Sequence, residues 1–229
     1  MLYIIGTPIG NLEDISLRQA KTLLRTPFIL SEDTRSSETL LCACEDLFSL
    51  KRVEGQKIIS YYKEREFEKL PYVLELLSKG NDVALISEAG MPVISDPGGL
   101  LIDYCLKNNI AHTVIPGPSS VTTALAIAGV KSQNWSFIGF LPKKEGDLKK
   151  SIQKMKDSAL IWKNHSTVAF ESAGRFEATM NICSAIIPNA TVIVCRELTK
   201  KFEEVLVGKP AELAQKQLRG EIVLIFQLP

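Results

Sequence analysis

The sequence predicts an α/β fold of two lobes, the first on a mainly parallel sheet and the second on a mixed sheet with helices on both faces. Three observations predict it. Short apolar runs alternate with helical periodicity in the first half, the pattern changes after Gly129, and the early runs end in loops rich in glycine, proline and short polar residues.

The apolar runs of the first half are Leu2 to Ile5, Phe28 to Leu30, Ile58 to Ile59, Val83 to Ile86 and Thr113 to Ile115, each read as a strand. Helical stretches separate them. Ser16 and Gln19 have capping-box spacing ahead of Leu17, Ala20 and Leu24. Phe67, Leu70, Leu74 and Leu77 recur at helical spacing before the fourth run. Such alternation requires crossover connections, hence parallel pairing.

The polar stretch GVKSQN (129 to 134) follows a helix rich in small residues and sets the expected boundary, giving lobes of residues 1 to 129 and 130 to 229. Beyond it, Ser136 to Phe140, Thr167 to Phe170, Thr191 to Cys195, Glu204 to Val207 and Glu221 to Gln227 read as strands, with helices near 147 to 157, 175 to 186 and 210 to 218. Only one short helix separates the last two strands, so the second sheet is expected to be mixed.

Bulk properties bound the function. With 229 residues, 45% of them hydrophobic, the chain can bury a substantial core. Charged residues make up 23% but nearly cancel to +1, so any basic surface must be local. The opening MLYIIGTPIG breaks too early for a signal-peptide core or a membrane span, and a cytoplasmic protein with reduced cysteines is expected. Cys42 and Cys44 lack the C-x-x-C pairs of a thiolate metal site, so no metal is expected and they read as small apolar residues at a helix end. His112 precedes a strand and His165 sits in a polar loop, poor material for a hydrolase triad.

In a parallel sheet all strand C-termini share one edge, where ligands bind. The loops expected there are GTPIGN (6 to 11), SEDTR (31 to 35), SEAGMPVISDPG (87 to 98) and PGPSS (116 to 120). Their glycines and prolines let main-chain groups approach a ligand. GTPIGN lacks the GxGxxG dinucleotide pattern, and no Lys-Ser/Thr pair follows it as in a phosphate-binding P-loop. The third loop instead carries Glu88 and Asp96, which suit a positively charged ligand such as a sulfonium, although Asp96 before Pro-Gly could equally cap a turn.

At these residues the chain resembles the tetrapyrrole-methylase superfamily, and within it the branch that methylates ribose 2′-hydroxyls of cytidine in small-subunit ribosomal RNA. The matching segments run end to end: YIIGTPIGNLEDIS, LSEDTRSSETLL, ALISEAGMPVISDPG, VIPGPSSVTTALAIAG, FIGFLPKK, FESAGR and RELTKKFEE. The resemblance implies S-adenosyl-L-methionine as cofactor, bent into a cleft between the lobes, and a homodimer that helps form the site. It implies small-subunit ribosomal RNA or the assembled 30S subunit as partner. Carried onto this sequence, it assigns Thr7, Pro8, Glu88, Ala89, Gly90, Val93, Ile94, Ser119 and Ser120 to the cofactor pocket, with Phe170 and Glu171 closing over the adenosine.

The chain departs from the family pattern at Glu88 (usually Asp), Met91 (usually Thr) and Ala173-Gly174 (usually Pro-His). A polar stretch containing His and Asn is here YYKERE (61 to 66), and the family's usual small C-terminal extension does not follow QLP. The superfamily also serves tetrapyrrole synthesis, so one alternative is a C-methyltransferase acting on a tetrapyrrole (precorrin or uroporphyrinogen), and the departures at YYKERE and ESAGR motivate another, an RNA-binding relative without turnover.

A ribose hydroxyl is a weak nucleophile and needs a neighbouring base or cation. Glu32 and Asp33 are the candidates, with Arg35 orienting or stabilising charge, although Asp33 could instead cap the next helix. For RNA, Lys143, Lys144, Lys149, Lys150, Lys154 and Lys156 form a basic run that Arg175, Arg196, Lys200 and Lys201 could extend. Such a run also suits a plain solvated helix face.

Overall fold

A computed structural model describes residues 1 to 131, 134 to 162 and 164 to 229. The chain divides into two compact units, Met1–Ser119 and Ser120–Pro229.

The first unit is a five-stranded sheet of β1 (Leu2–Ile5), β2 (Phe28–Ser31), β3 (Lys57–Ser60), β4 (Val83–Ile86) and β5 (His112–Ile115). Its order is β3-β2-β4-β1-β5 and every pairing is parallel, as the alternating pattern requires. The connecting helices are α1 (Leu17–Arg25), α2 (Thr34–Phe48), α3 (Glu66–Ser78) and α4 (Gly99–Lys107).

Side-chain alternation along each strand feeds two cores. Ile5, Ile29, Ala84, Ile86 and Ile115 meet α1 and α2, whereas Leu2, Ile4, Leu30, Val83 and Leu85 meet α3 and α4. The capping box forms as expected, with Gln19 N–H donating to Ser16 Oγ at 3.2 Å and Ser16 N–H donating to Gln19 Oε1 at 2.7 Å. The apolar stripe read for α3 holds only in part. Leu77 is buried and Leu70 and Leu74 pack against the same core, joined by Val73 and Leu76, but Phe67 is 79% exposed. The reason is phase, because Phe67 lies in the first turn on the outward face.

The second unit contains α5 (Ser120–Ile127), β6 (Trp135–Phe140), α6 (Glu145–Ile161), β7 (Ser166–Ser172), α7 (Phe176–Ile186), β8 (Thr191–Arg196), β9 (Glu204–Gly208), α8 (Pro210–Leu213) and β10 (Glu221–Gln227). Its sheet runs β6-β7-β10-β8-β9, with β6 and β7 parallel and the other pairs antiparallel. Leu224 and Phe226 of β10 pack with α6, α7 and α8, whose buried residues include Ile152, Met180 and Leu213. The opposite face receives α5, where Cys195 of β8 places its Sγ 3.8 Å from Ala124 O.

That contact explains why the units part at Ser119 rather than at Gly129. Helix α5 buries Val121 and Ala124 and belongs to the second sheet, so the division precedes it. Ser132 and Gln133, part of the polar stretch that set the expected boundary, lie outside the described residues. Helix α8 spans four residues instead of the nine expected, and the segment after it is irregular. Among the described residues no helix is long and apolar enough to cross a membrane, and no group of His, Cys, Asp and Glu could hold a metal.

Candidate functional site

The parallel register places the ends of β2, β4, β1 and β5 side by side, so the four singled-out loops leave one edge of the first sheet. The loops after β1 and β4 are joined by a short antiparallel bridge. Thr7 N–H donates to Gly90 O at 2.8 Å and Gly90 N–H donates to Thr7 O at 3.2 Å. Buried Thr7 and Ser87 turn their hydroxyls onto the same strap, with Thr7 Oγ1 3.2 Å from Ser87 O and Ser87 Oγ 3.0 Å from Gly90 O.

The loops after β1 and β5 meet backbone to backbone. A Cβ added to Gly6 would lie 2.7 Å from the Gly117 main chain, and one added to Gly117 would lie 2.8 Å from that of Gly6. Only glycine permits this approach. Buried Gln19 fastens it from α1 by donating Nε2–H to Gly6 O. The capping box therefore does more than start a helix, since the Gln19 side chain that serves it also holds the first loop.

The third loop is strained where the resemblance put cofactor contacts. Val93 and Ser95 both have φ of 74°, a conformation costly for a β-branched residue. Gly98, at φ 119°, leaves no room for a side chain, because a Cβ would fall 2.4 Å from Leu85 Cδ2. The far end of the loop is tied down by Glu66. Its Oε1 accepts from Gly98 N–H and Leu100 N–H, both at 3.1 Å, and from Tyr61 Oη–H at 3.3 Å. A carboxylate at the start of α4 also meets the favourable end of the helix dipole. YYKERE thus supplies a buried tyrosine and a helix cap, a role sequence reading missed because Glu66 and the main-chain donors Gly98 and Leu100 lie more than thirty residues apart.

Carboxylates crowd this edge. Burial first, then the charges of Glu88 and Glu64, raise the Glu32 carboxyl above its usual range. Burial first, then Glu32 and Glu88, push Asp96 up to about 6. Among the described residues Glu32, Glu88 and Asp96 form no ion pair or hydrogen bond through their carboxylates, so the edge carries uncompensated negative charge. Asp96 does not cap the turn, the alternative reading of that residue.

The SEDTR loop divides its tasks. Asp33 is the N-cap of α2, accepting on Oδ1 from Arg35 N–H at 2.7 Å and Ser36 N–H at 3.4 Å. Ser37 Oγ–H donates to the Asp33 carbonyl at 2.8 Å, and Ser31 and Ser37 bond to each other. Glu32 carries the partly buried free carboxylate, and Arg35 is exposed.

The remaining expected residues fall in these places. Pro8 is buried beside Thr7, Ala89 and Ile94 are exposed in the third loop, Ser119 follows β5 and Ser120 starts α5. Phe170 and Glu171 lie on β7. The Phe170 ring packs edge-on against Phe137 and Phe140, with centroids 4.8 Å and 5.2 Å away. Glu171 is buried and its carboxylate is fully engaged, pairing with Arg175 and accepting from Thr179 Oγ1–H at 2.6 Å and Ser172 N–H at 2.7 Å.

The cations proposed to extend a basic surface are mostly neutralised. Arg175 pairs with Glu171, Arg196 with Glu204 at 3.0 Å, and Lys200 with Glu197 and Glu221 at 3.2 Å and 2.9 Å. In the lysine run, Lys149 pairs with Glu145 and Lys150 with Asp147.

An all-parallel unit with a backbone-rich, acidic carboxyl edge, followed by a mixed-sheet unit, defines a class. The model of the Tetrapyrrole (Corrin/Porphyrin) Methylases matches residues 1–214, and the chain belongs to that family. Within it, the chain is 38% identical over 230 residues to the Ribosomal RNA small subunit methyltransferase I of Hydrogenobaculum sp., covering 98% of this chain and 94% of that relative. Solved structures show the same fold at low identity. The methyltransferase CobJ superposes with a TM-score of 0.73 at 14% identity, over 99% of this chain and 93% of that one. Uroporphyrin-III C-methyltransferase from Thermus thermophilus, complexed with S-adenosylhomocysteine, gives 0.65 at 16%, over 98% and 96%.

Proposed function

We propose that the chain is an S-adenosylmethionine-dependent methyltransferase acting on the 2′-hydroxyl of a cytidine ribose in small-subunit ribosomal RNA, free or within the 30S subunit, as a cytoplasmic homodimer. One observation carries the reading. The carboxyl edge of the first sheet offers bare main chain around Gly6, Gly90 and Gly117 and unpaired carboxylates with no cation among them, in a chain closely similar to a ribosomal RNA methyltransferase. A ligand with positive charge fits that edge, and a polyphosphate does not.

Thr7, Pro8, Ala89, Gly90, Val93, Ile94 and Ser119 would hold the cofactor, with Glu88 facing its positive charge. The resemblance adds Ser120, Phe170 and Glu171 to that set, although the Glu171 carboxylate is already engaged. When bound, the cofactor supplies a methyl group on a sulfonium leaving group, so the protein's task is alignment.

Glu32 is the proposed proton acceptor for the ribose hydroxyl. Burial and the neighbouring charges of Glu88 and Glu64 raise its pKa, which makes it a stronger base than an ordinary carboxylate. Asp33 positions Arg35 by capping α2, and Arg35 steadies developing charge.

The test combines calorimetry with S-adenosylhomocysteine and mass spectrometry of ribosomal RNA after incubation with the cofactor. Glu32→Gln is expected to keep product affinity within about threefold and to lower turnover by roughly a hundredfold or more. Methylation of uroporphyrinogen in place of RNA would overturn the acceptor, and absence of cofactor binding would overturn the whole reading.

A further inference from the structure

Lys149 and Lys150 of the lysine run are paired, as are Arg196 and Lys200 of RELTKKFEE, so among the described residues the cations without an ion pair include Lys143, Lys144, Lys154 and Lys156 of the run and a separate row on the first unit. Helix α1 contains no acidic residue, and Arg18, Lys21 and Arg25 stand at helical spacing on one exposed face. None of the three forms an ion pair among the described residues. They rim a cavity of about 490 Å³ whose floor includes Tyr3, Thr113 and Ile115 on β1 and β5. Tyr3 and Thr113 are directly paired neighbours in the sheet, and the Arg25 guanidinium sits 5.6 Å from the Tyr3 ring centroid, which steadies it.

Position gives this row its meaning. Helix α1 starts just after the loop that carries Thr7 and Pro8 and runs back beside β1, so Arg18 lies toward the functional edge and Arg25 about 10 Å further along the helix axis. β5 is the edge strand of its sheet, and the helix that follows it belongs to the second unit, so α1 alone borders the cavity from the helical layer. A row of unpaired cations leading away from the reacting edge matches a chain of phosphodiesters more closely than a single small anion.

We infer that the Arg18, Lys21 and Arg25 face of α1 binds the phosphate backbone of the substrate RNA, guiding the strand toward the carboxyl edge of the first sheet. This rests on the proposed ribosomal RNA substrate. The face supplies the positive charge that the overall balance of +1 conceals.

The test uses the full chain with the triple variant Arg18→Gln, Lys21→Gln, Arg25→Gln and a charge-matched triple, Lys51→Gln, Lys57→Gln, Lys79→Gln. Lys57 begins β3 at the opposite sheet edge. Affinity for a small-subunit ribosomal RNA fragment is measured across salt concentrations, alongside calorimetry with S-adenosylhomocysteine. The α1 triple is expected to bind RNA on the order of tenfold to a hundredfold more weakly at about 0.15 M salt, with the salt slope reduced by about 2. Its cofactor-product affinity should be unchanged, and the control triple should bind RNA as the wild type does.

Equal RNA affinity and slope in the α1 triple and wild type would overturn this inference while leaving the methyltransferase reading intact. So would equal weakening by both triples, or an α1 triple that loses only free inorganic phosphate. A wild-type chain that neither binds nor methylates the RNA would overturn both.

Discussion

Replacing Gly6 by alanine tests whether the crossing of the first and fourth loops positions the site. The new Cβ would lie 2.7 Å from the Gly117 Cα and N and from Met91 Sδ. Methionine can swing aside, but the Gly117 backbone cannot. Ordinary carbon contacts begin near 3.5 Å, so the loops must separate by about 0.8 Å. Overpacking of this kind costs about 1–3 kcal/mol. In a chain of this length that lowers the melting midpoint by roughly 2–12 °C.

The functional effect should exceed the stability effect. Gly6 precedes Thr7, whose bridge to Gly90 couples the first loop to the third. A displacement near 1 Å can cost about a hundredfold in rate. Calorimetry with S-adenosylhomocysteine should show at least a tenfold loss of affinity. Gly55→Ala is the control, because Gly55 meets nothing within 4 Å, so its φ of 72° makes the change cost backbone strain without a steric clash. It should cost about 1–2 kcal/mol of backbone strain and leave binding unchanged. Wild-type product affinity in Gly6→Ala, or equal loss in Gly55→Ala, would refute the reasoning.

Two further outcomes follow from the carboxylates. Asp96 is pushed up to about 6 from an ordinary value of 3.8, so ionising it disfavours the folded state. The penalty is absent below about pH 4, grows through pH 6 and is constant above it; Asp96→Asn should therefore raise the melting midpoint at pH 8 and match the wild type at pH 3.5, as differential scanning calorimetry can check. Glu66→Ala leaves Gly98 N–H and Leu100 N–H without their acceptor and should cost about 1–3 kcal/mol in denaturant unfolding, with Glu66→Gln recovering most of it. Equal losses in the two Glu66 variants would show that charge, rather than hydrogen bonding, is what α4 requires.

Much of the architecture was legible because it rests on local periodicity. β1, β4 and β10 fall on the residues their apolar runs indicated, and the Ser16–Gln19 box forms as spelled. The loops were legible too, since glycine and proline report backbone geometry wherever they stand. What stayed hidden depends on partners remote in sequence. The Glu66 cap on α4, the attachment of α5 to the second sheet and the pairing of Arg196 and Lys200 all join residues the local pattern does not connect.

The candidate site shows the same division. The sequence by itself determined that carboxylates and bare main chain would gather at one sheet edge, because parallel strands send all their C-terminal loops to the same side. Only the tertiary structure decided which carboxylate is free. Asp33 and Glu32 are neighbours of the same chemistry, and a helix start claims one of them while partial burial beside Glu88 and Glu64 raises the pKa of the other. Charge and desolvation act through space, so the task of each acid is set by what the fold brings within a few ångströms of it.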